Sequence, residues 1–244
     1  MGKKLIIPGA DFSENCIVIP LTIVVKAGGS VTIGGVEYTA GAEDKEYEIN
    51  SVPSDFSLNY EDDIKYLRIG SPATLANMGG AFRNNSNLEE IVFAADVYTS
   101  TSISSVLFAN CLKLKKFDGT HFYFRANNAN MLFNGCSEIT EIKLPHMGEK
   151  TSMQYCFSSC ENLRSVEFGS DFGLTSDASV TGLFNDCPAL ETIIAPSLVA
   201  SEYATSDTLT NKFIQGIDAT TGHVTIHCAN GGKLTWNGTS WSVS

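Results

Sequence analysis

Cys111, Cys136, Cys160 and Cys187 recur at intervals of 25, 24 and 27 residues along a chain of 244. Thiols offer three kinds of chemistry: metal ligation, disulfide formation and nucleophilic attack. Zinc needs ligands that converge, and these cysteines are far apart with no Cys-x-x-Cys pair among them. Side chains repeated along a stack point in parallel, and a total of seven cysteines is odd, so a disulfide set is a poor match. No His–Asp arrangement lies near any of them to activate a nucleophile. His223 and His227 share a strand face with Thr225, which makes at most a two-ligand metal pair. The run Glu61-Asp62-Asp63 lacks the alternation of a calcium loop and reads as a solvated turn. No nucleophile elbow, phosphate loop or dinucleotide fingerprint is present. The expectation is a protein that is not an enzyme, with no catalytic residue, no cofactor and no metal.

The cysteines are instead part of a repeated phrase. FRNNSNLEEIVF (82–93), FANCLKLKKFDG (108–119), FNGCSEITEIKL (133–144), FSSCENLRSVEF (157–168) and FNDCPALETIIA (184–195) share one template. It runs Phe, two residues, Cys or Asn, two residues, Leu or Ile, two residues, an apolar residue, and usually another two places on. The phenylalanines Phe82, Phe108, Phe133, Phe157 and Phe184 lie 26, 25, 24 and 27 residues apart, within the leucine-rich-repeat range. Alternate apolar residues at the end of each copy predict a short strand, and stacked coils place these strands side by side in a parallel sheet. Val97, Phe122, Met147, Phe172 and Leu198 follow each strand and would fill the opposite wall of the core. Ala81, Leu107, Leu132, Cys156 and Leu183 immediately precede the phenylalanines, and two consecutive inward residues predict a turn or one turn of helix.

The slot held by Asn85, Cys111, Cys136, Cys160 and Cys187 reads as a structural ladder. A small side chain fits there and bonds backbone groups left free where the chain bends. A degenerate copy, LNYEDDIKYLRI (58–69), carries Glu61 in the ladder slot, which must then be open to water. At the other end, the copy at 213–226 begins with Phe213 and loses register. About six coils and an imperfect one are expected over residues 55–217.

The phrase F-x-x-C-x-x-L-x-x-I-x-L resembles the BspA-type leucine-rich repeat family over roughly residues 55–217. The resemblance implies a right-handed solenoid with little helix. It also implies a setting: members are often bacterial or protozoan surface proteins associated with adhesion and protein binding. The coils here run longer than the family's compact repeat, which implies decorated loops. Lys3 and Lys4 precede only three apolar residues before PGADFSEN, so no secretory signal is expected in this chain. The location is therefore left between the cell surface that the resemblance suggests and the cytoplasm.

The flanks differ in kind. Residues 1–54 predict a β-rich module covering the first coil, built from KLIIP, CIVIPLTIVV and a hairpin about Gly34-Gly35. Residues 218–244 predict a C-terminal hairpin cap turning at Asn237-Gly238, with Trp236 and Trp241 packed on the last coil or, alternatively, stacking on a sugar. The fold class is thus a leucine-rich-repeat solenoid, with a stacked parallel β-sheet, turns or short helical turns opposite, and β-rich caps at both ends.

A net charge of −11, from 16 basic and 27 acidic residues, argues against nucleic-acid and anionic-lipid partners. The longest apolar run, Cys16 to Val25, is broken by Pro20 and is about half of what a membrane helix needs, so no membrane insertion is expected. On the outer face of the sheet, Glu90, Lys116 and Glu141 form one row and Asp118, Lys143 and Glu167 the next; alternating signs read as a solvated face that keeps its own register. HFYFRANN (121–128) is the better binding candidate. With Phe122 inward, Tyr123, Phe124 and Arg125 are the expected contact residues. The insertion at 197–212 is a second candidate on length alone. The function expected is a non-catalytic macromolecule-binding scaffold, for protein–protein interaction or cell-surface adhesion, whose partner is an unidentified protein or a surface glycan. The alternative is a structural component of a particle or intracellular assembly, such as one carried by a mobile element.

Overall fold

A 25-residue period with apolar residues at alternate strand positions and a phenylalanine at each bend buries both sets only when successive turns stack. The computed structural model describes residues 19–53, 56, 58, 61–75, 81–101, 106–205, 208–217 and 223–244, and shows that stack. The KLIIP segment and Cys16 lie outside the described residues.

The chain begins with β1 (Leu21–Val25), the hairpin β2 (Ser30–Ile33) and β3 (Val36–Thr39), and β4 (Lys45–Ile49). Gly34 and Gly35 both have positive φ, 57° and 76°, as a two-residue turn of this hand requires. The coils follow: β5 (Ile64–Ile69), β6 (Ala73–Leu75), β7 (Glu90–Phe93), β8 (Val97–Thr99), β9 (Lys116–Asp118), β10 (Phe122–Tyr123), β11 (Glu141–Leu144), β12 (Glu149–Ser152), β13 (Ser165–Phe168), β14 (Gly173–Ser179) and β15 (Thr192–Ile194). Then come the helix α1 (Leu209–Ile214), β16 (Val224–His227), and the terminal strands β17 (Lys233–Trp236) and β18 (Trp241–Val243).

Each coil has three sides. One is the parallel sheet: β5 pairs with β7, and β9, β11, β13, β15 and β16 pair in succession. Leu67, Ile91, Phe117, Ile142, Val166, Ile193 and Ile226 point inward from it as one buried row. The opposite wall carries short parallel strands as well as turns, in the order β6-β8-β10 and then β12-β14. Val97, Phe122, Met147, Phe172 and Leu198 are all buried along it. The third side is made of the turns that begin at each phenylalanine.

Those turns join the coils. The rings of Phe82, Phe108, Phe133, Phe157 and Phe184 are fully buried and nearly parallel, with centroids 5.1, 5.1, 6.0 and 5.0 Å apart. Each phenylalanine N–H donates to the next coil, for example Phe108 to Leu132 O at 2.9 Å and Phe133 to Cys156 O at 2.8 Å. The carbonyls of the first four accept from the next coil's ladder side chain. Cys111 Sγ lies 3.0 Å from Phe82 O, Cys136 Sγ 3.1 Å from Phe108 O, Cys160 Sγ 3.1 Å from Phe133 O, and Cys187 Sγ 3.0 Å from Phe157 O. Asn85 Nδ2 does the same to Leu58 O at 2.5 Å. The residue before each ladder position, Asn84, Asn110, Gly135, Ser159 and Asp186 in turn, takes φ between 55° and 74°. Short polar residues and glycine tolerate that left-handed geometry best.

The ends are closed by antiparallel strands. β1 pairs on one side with β4 and on the other with β5, so Leu21, Ile23 and Val25 complete the core beneath the first coil. At the far end β17 pairs with β16, and β18 with β17; Trp236 faces Trp241 across the last pair with centroids 5.5 Å apart. Glu61 is half-buried in its slot, and burial followed by repulsion from Asp63 raises its carboxyl above the usual range. The sequence register fails at Phe213. Phe184 N–H donates to Gly216 O at 3.2 Å, which puts Gly216 where Leu183 stands one coil earlier and Ile217, not Phe213, in the next phenylalanine place. Thr208 caps α1 by accepting from Asn211 N–H at 3.1 Å, and this inserted helix turns the Phe213 ring edge-on to Phe168, Phe172 and Phe184.

The ladder predicts a measurable cost. Cys136→Ala removes a donor from Phe108 O and leaves a small void, so chemical denaturation should report a loss of about 1–3 kcal/mol. Burial also raises the Cys111, Cys156 and Cys160 thiols well above the ordinary range, so these three should resist alkylation in the native protein and react once it is unfolded.

Candidate functional site

Strand alternation decides what the β8–β10 wall shows to solvent. Val97 and Phe122 are paired in register and point inward, so Tyr98 and Tyr123 point outward from adjacent strands. Their rings stack with centroids 4.6 Å apart at 26°, and His146 from the following coil stacks on Tyr123 at 4.1 Å and 11°. The same alternation turns Phe124 inward, where it is buried at 3% exposure, so it is not a contact residue as the sequence reading had it. Arg125 returns to the surface. Its backbone N–H donates to Thr99 Oγ1 at 2.9 Å, and its guanidinium carbon lies 4.1 Å from the centre of the Tyr98 ring. At the corner beside them, His121 Nδ1 meets Asp96 Oδ1 at 2.8 Å.

This cluster has a definite chemistry. Tyr123 is held between Tyr98 and His146, and Arg125 lies over the Tyr98 ring. Partial desolvation, then the charge of Asp96, raises the Tyr123 phenol, which stays a neutral donor and acceptor. The Arg125 guanidinium makes no hydrogen bond or ion pair among the described residues. It is a planar fork of donors held in place by cation–π contact, suited to a carboxylate.

The outer sheet face is different. Lys116 Nζ bonds Glu141 Oε2 at 2.8 Å, and Lys143 stands in register between Asp118 and Glu167 around a shallow trough of about 250 Å³. A second line of charges runs along the strand starts, from Asp44 to Lys65 (2.9 Å), Glu89 (3.5 Å) and Lys115 (3.2 Å), and again from Arg164 to Glu191 (3.0 Å). These charges are answered by their neighbours in the stack. In the 197–212 stretch, buried Thr210 bonds both the N–H and the carbonyl of Val199. His223 precedes β16, and no group of three His, Cys, Asp or Glu side chains able to hold a metal occurs among the described residues. No helix among them is long and apolar enough to cross a membrane.

The model of the BspA type leucine rich repeat region matches the chain in six copies over residues 78–206, which is 129 of 244 residues. The chain belongs to this family. No curated protein and no solved structure matches it. The matched span of BspA-type repeats contains all of the Tyr98, Tyr123, Arg125 and His146 cluster.

One titratable residue inside the repeats escaped sequence reasoning. Lys150 is 1% exposed, on the inward side of β12 opposite Leu174. Its ammonium donates to the Met147 and Glu149 carbonyls and lies 5.2 Å from the centre of the Phe124 ring. Burial lowers its pKa to about 8, against a pull upward from Asp171. A lysine among polar neighbours in EKTS gives no apolar signal, so only its place one coil after Phe124 could have marked it.

Because the folded value is below the ordinary 10.5, the native state holds fewer protons than the unfolded chain between the two, and stability rises with pH across that window. The cost of burying the charge is full below pH about 8. Lys150→Met should therefore stabilise the protein at neutral pH by on the order of 1–3 kcal/mol, and the gain over wild type should shrink as pH approaches the unfolded value. Paired denaturation curves across that range measure it.

Proposed function

We propose that this protein is a non-catalytic scaffold that binds another protein through the β8–β10 face, as an adhesion or surface-interaction module. The repeat family supports a scaffold for protein interaction. The observation that carries the site is the Arg125 guanidinium, unpaired among the described residues, lying on Tyr98 in a continuous Tyr98–Tyr123–His146 stack. Arginine and tyrosine are the residue types on which binding energy concentrates, and here both lose little freedom on binding because they are already held.

A protein partner is favoured over a glycan by the same geometry. Sugar rings are gripped by open aromatic faces, and here Tyr123 lies between Tyr98 and His146 while Arg125 lies over Tyr98. What remains suits a carboxylate side chain, with phenol and imidazole edges beside it.

A photo-crosslinking residue placed at position 123, compared with one at 225 on the outer sheet face, tests the site in cells of the source organism. Position 123 should capture a defined protein, and Arg125→Gln should weaken binding of that protein roughly 30-fold. Capture from position 225 alone would remove the site. Protease treatment of intact cells should digest the chain; survival until lysis would contradict the adhesion reading.

A further inference from the structure

Three Asn-Gly pairs occur in the chain, at 134–135, 230–231 and 237–238. In such a pair the glycine N–H can attack the asparagine side-chain carbonyl, because no glycine side chain shields it. The new N–C bond closes a five-membered succinimide, the side-chain nitrogen leaves as ammonia, and water then opens the ring at either carbonyl to give aspartate or isoaspartate. Water is the only co-reactant. Two things decide whether a folded protein permits this: whether the attacking N–H is free, and whether the oxygen that gathers negative charge is stabilised.

The attacking N–H sets Asn134 apart from the other two pairs, and the oxyanion donors set Asn237 apart from Asn230. At Asn134, the Gly135 N–H donates to Ser158 O at 2.8 Å, and Asn134 Nδ2 donates to the same carbonyl at 3.3 Å. The attacking group is held in the coil-to-coil ladder. Asn230 is exposed in the turn Ala229–Gly231, and the Gly231 N–H makes no hydrogen bond among the described residues, but no donor among them reaches the Asn230 side-chain oxygen.

Asn237 is exposed at the tip of the β17–β18 hairpin, in a four-residue loop rather than the two-residue turn its Asn-Gly signal suggested. Three donors converge on its Oδ1: Thr239 N–H at 2.9 Å, Thr239 Oγ1–H at 2.8 Å and Ser240 N–H at 2.9 Å. The Gly238 N–H makes no hydrogen bond among the described residues, and nothing lies within 4 Å of where a side chain on Gly238 would stand. A ready-made oxyanion pocket therefore faces an unshielded attacking nitrogen.

We infer that Asn237 is a self-modifying site: in the folded protein it converts through the Gly238 succinimide to aspartate and isoaspartate, ahead of Asn230, which lacks the oxyanion donors, while Asn134 remains an amide. The isoaspartate product lengthens the main chain by one carbon in the loop that sets the pairing of Trp236 with Trp241. The end cap is then altered by covalent chemistry that needs no enzyme.

The test is incubation of the purified full chain in mildly alkaline buffer, with peptide mass mapping and isoaspartate labelling over time. Conversion should be fastest at Asn237, slower at Asn230 and absent at Asn134, and the tryptophan emission should shift in step with conversion of Asn237. Thr239→Val removes one oxyanion donor and should slow conversion roughly threefold or more. Asn237→Ser should abolish both the label at this position and the fluorescence drift while leaving the initial emission unchanged. An intact Asn237 amide, under conditions in which the denatured chain converts, would overturn the inference. Equal rates in wild type and Thr239→Val would overturn the role given to the three donors, and so would conversion of Asn134 or Asn230 ahead of Asn237.

Discussion

The carbonyl of the phenylalanine at each bend is the point on which the stack depends. It lies in the interior, where a backbone oxygen without a donor costs more than a hydrogen bond normally gains. The next coil answers it with a side chain that is small, able to donate, and aimed backward by a residue in the left-handed conformation. One template position thus carries three demands, and cysteine meets them with a weak donor that needs little hydration of its own. Asn85 is instructive by contrast. Its amide nitrogen serves both Leu58 O and Phe82 O, but its Oδ1 is buried without a partner among the described residues. A polar group richer than cysteine satisfies the ladder and brings an extra acceptor that the interior cannot serve.

Repetition converts that local solution into a long object. With the bends in register, the phenylalanine rings fall about one strand spacing apart, the inward strand residues form a continuous row, and the charges on the outer face meet alternating partners. The ion pairs are exposed, and each contributes little to stability. Their effect is on register, since a shift of one coil would set like charges side by side. The open ends are closed by antiparallel strands from segments outside the repeats. β1 joins the first coil's sheet directly, so the N-terminal segment is continuous with the solenoid rather than set beside it.

What the sequence made legible was whatever recurs with the period. The phenylalanines, the wall anchors and the inward strand residues all sit at fixed offsets from one another, so each coil vouches for the next. Features that cross coils with different residues were hidden. Tyr98 and Tyr123 follow their anchors, but His146 precedes Met147, so no offset predicts that the three rings meet. Phe124 was placed outside because three aromatics in a row look like a surface patch; the alternation that puts Phe122 inside also puts Phe124 inside. Phe213 looked like another repeat phenylalanine because α1 supplies the right residue in the wrong register. Lys150 was invisible because burial of its stem depends on Phe124 in the neighbouring coil, not on anything within its own segment.

The claim that the bends hold the coils together is tested most directly by native-state hydrogen exchange at the amides of Phe82, Phe108, Phe133, Phe157 and Phe184. These N–H groups each donate to the next coil. If the ladder is the joint of the structure, they should be among the slowest amides in the protein and should exchange with nearly the same opening free energy, at the level of global unfolding. Exchange that is fast at these five positions while the outer sheet strands stay protected would show that the sheet alone holds the coils, and would contradict the account.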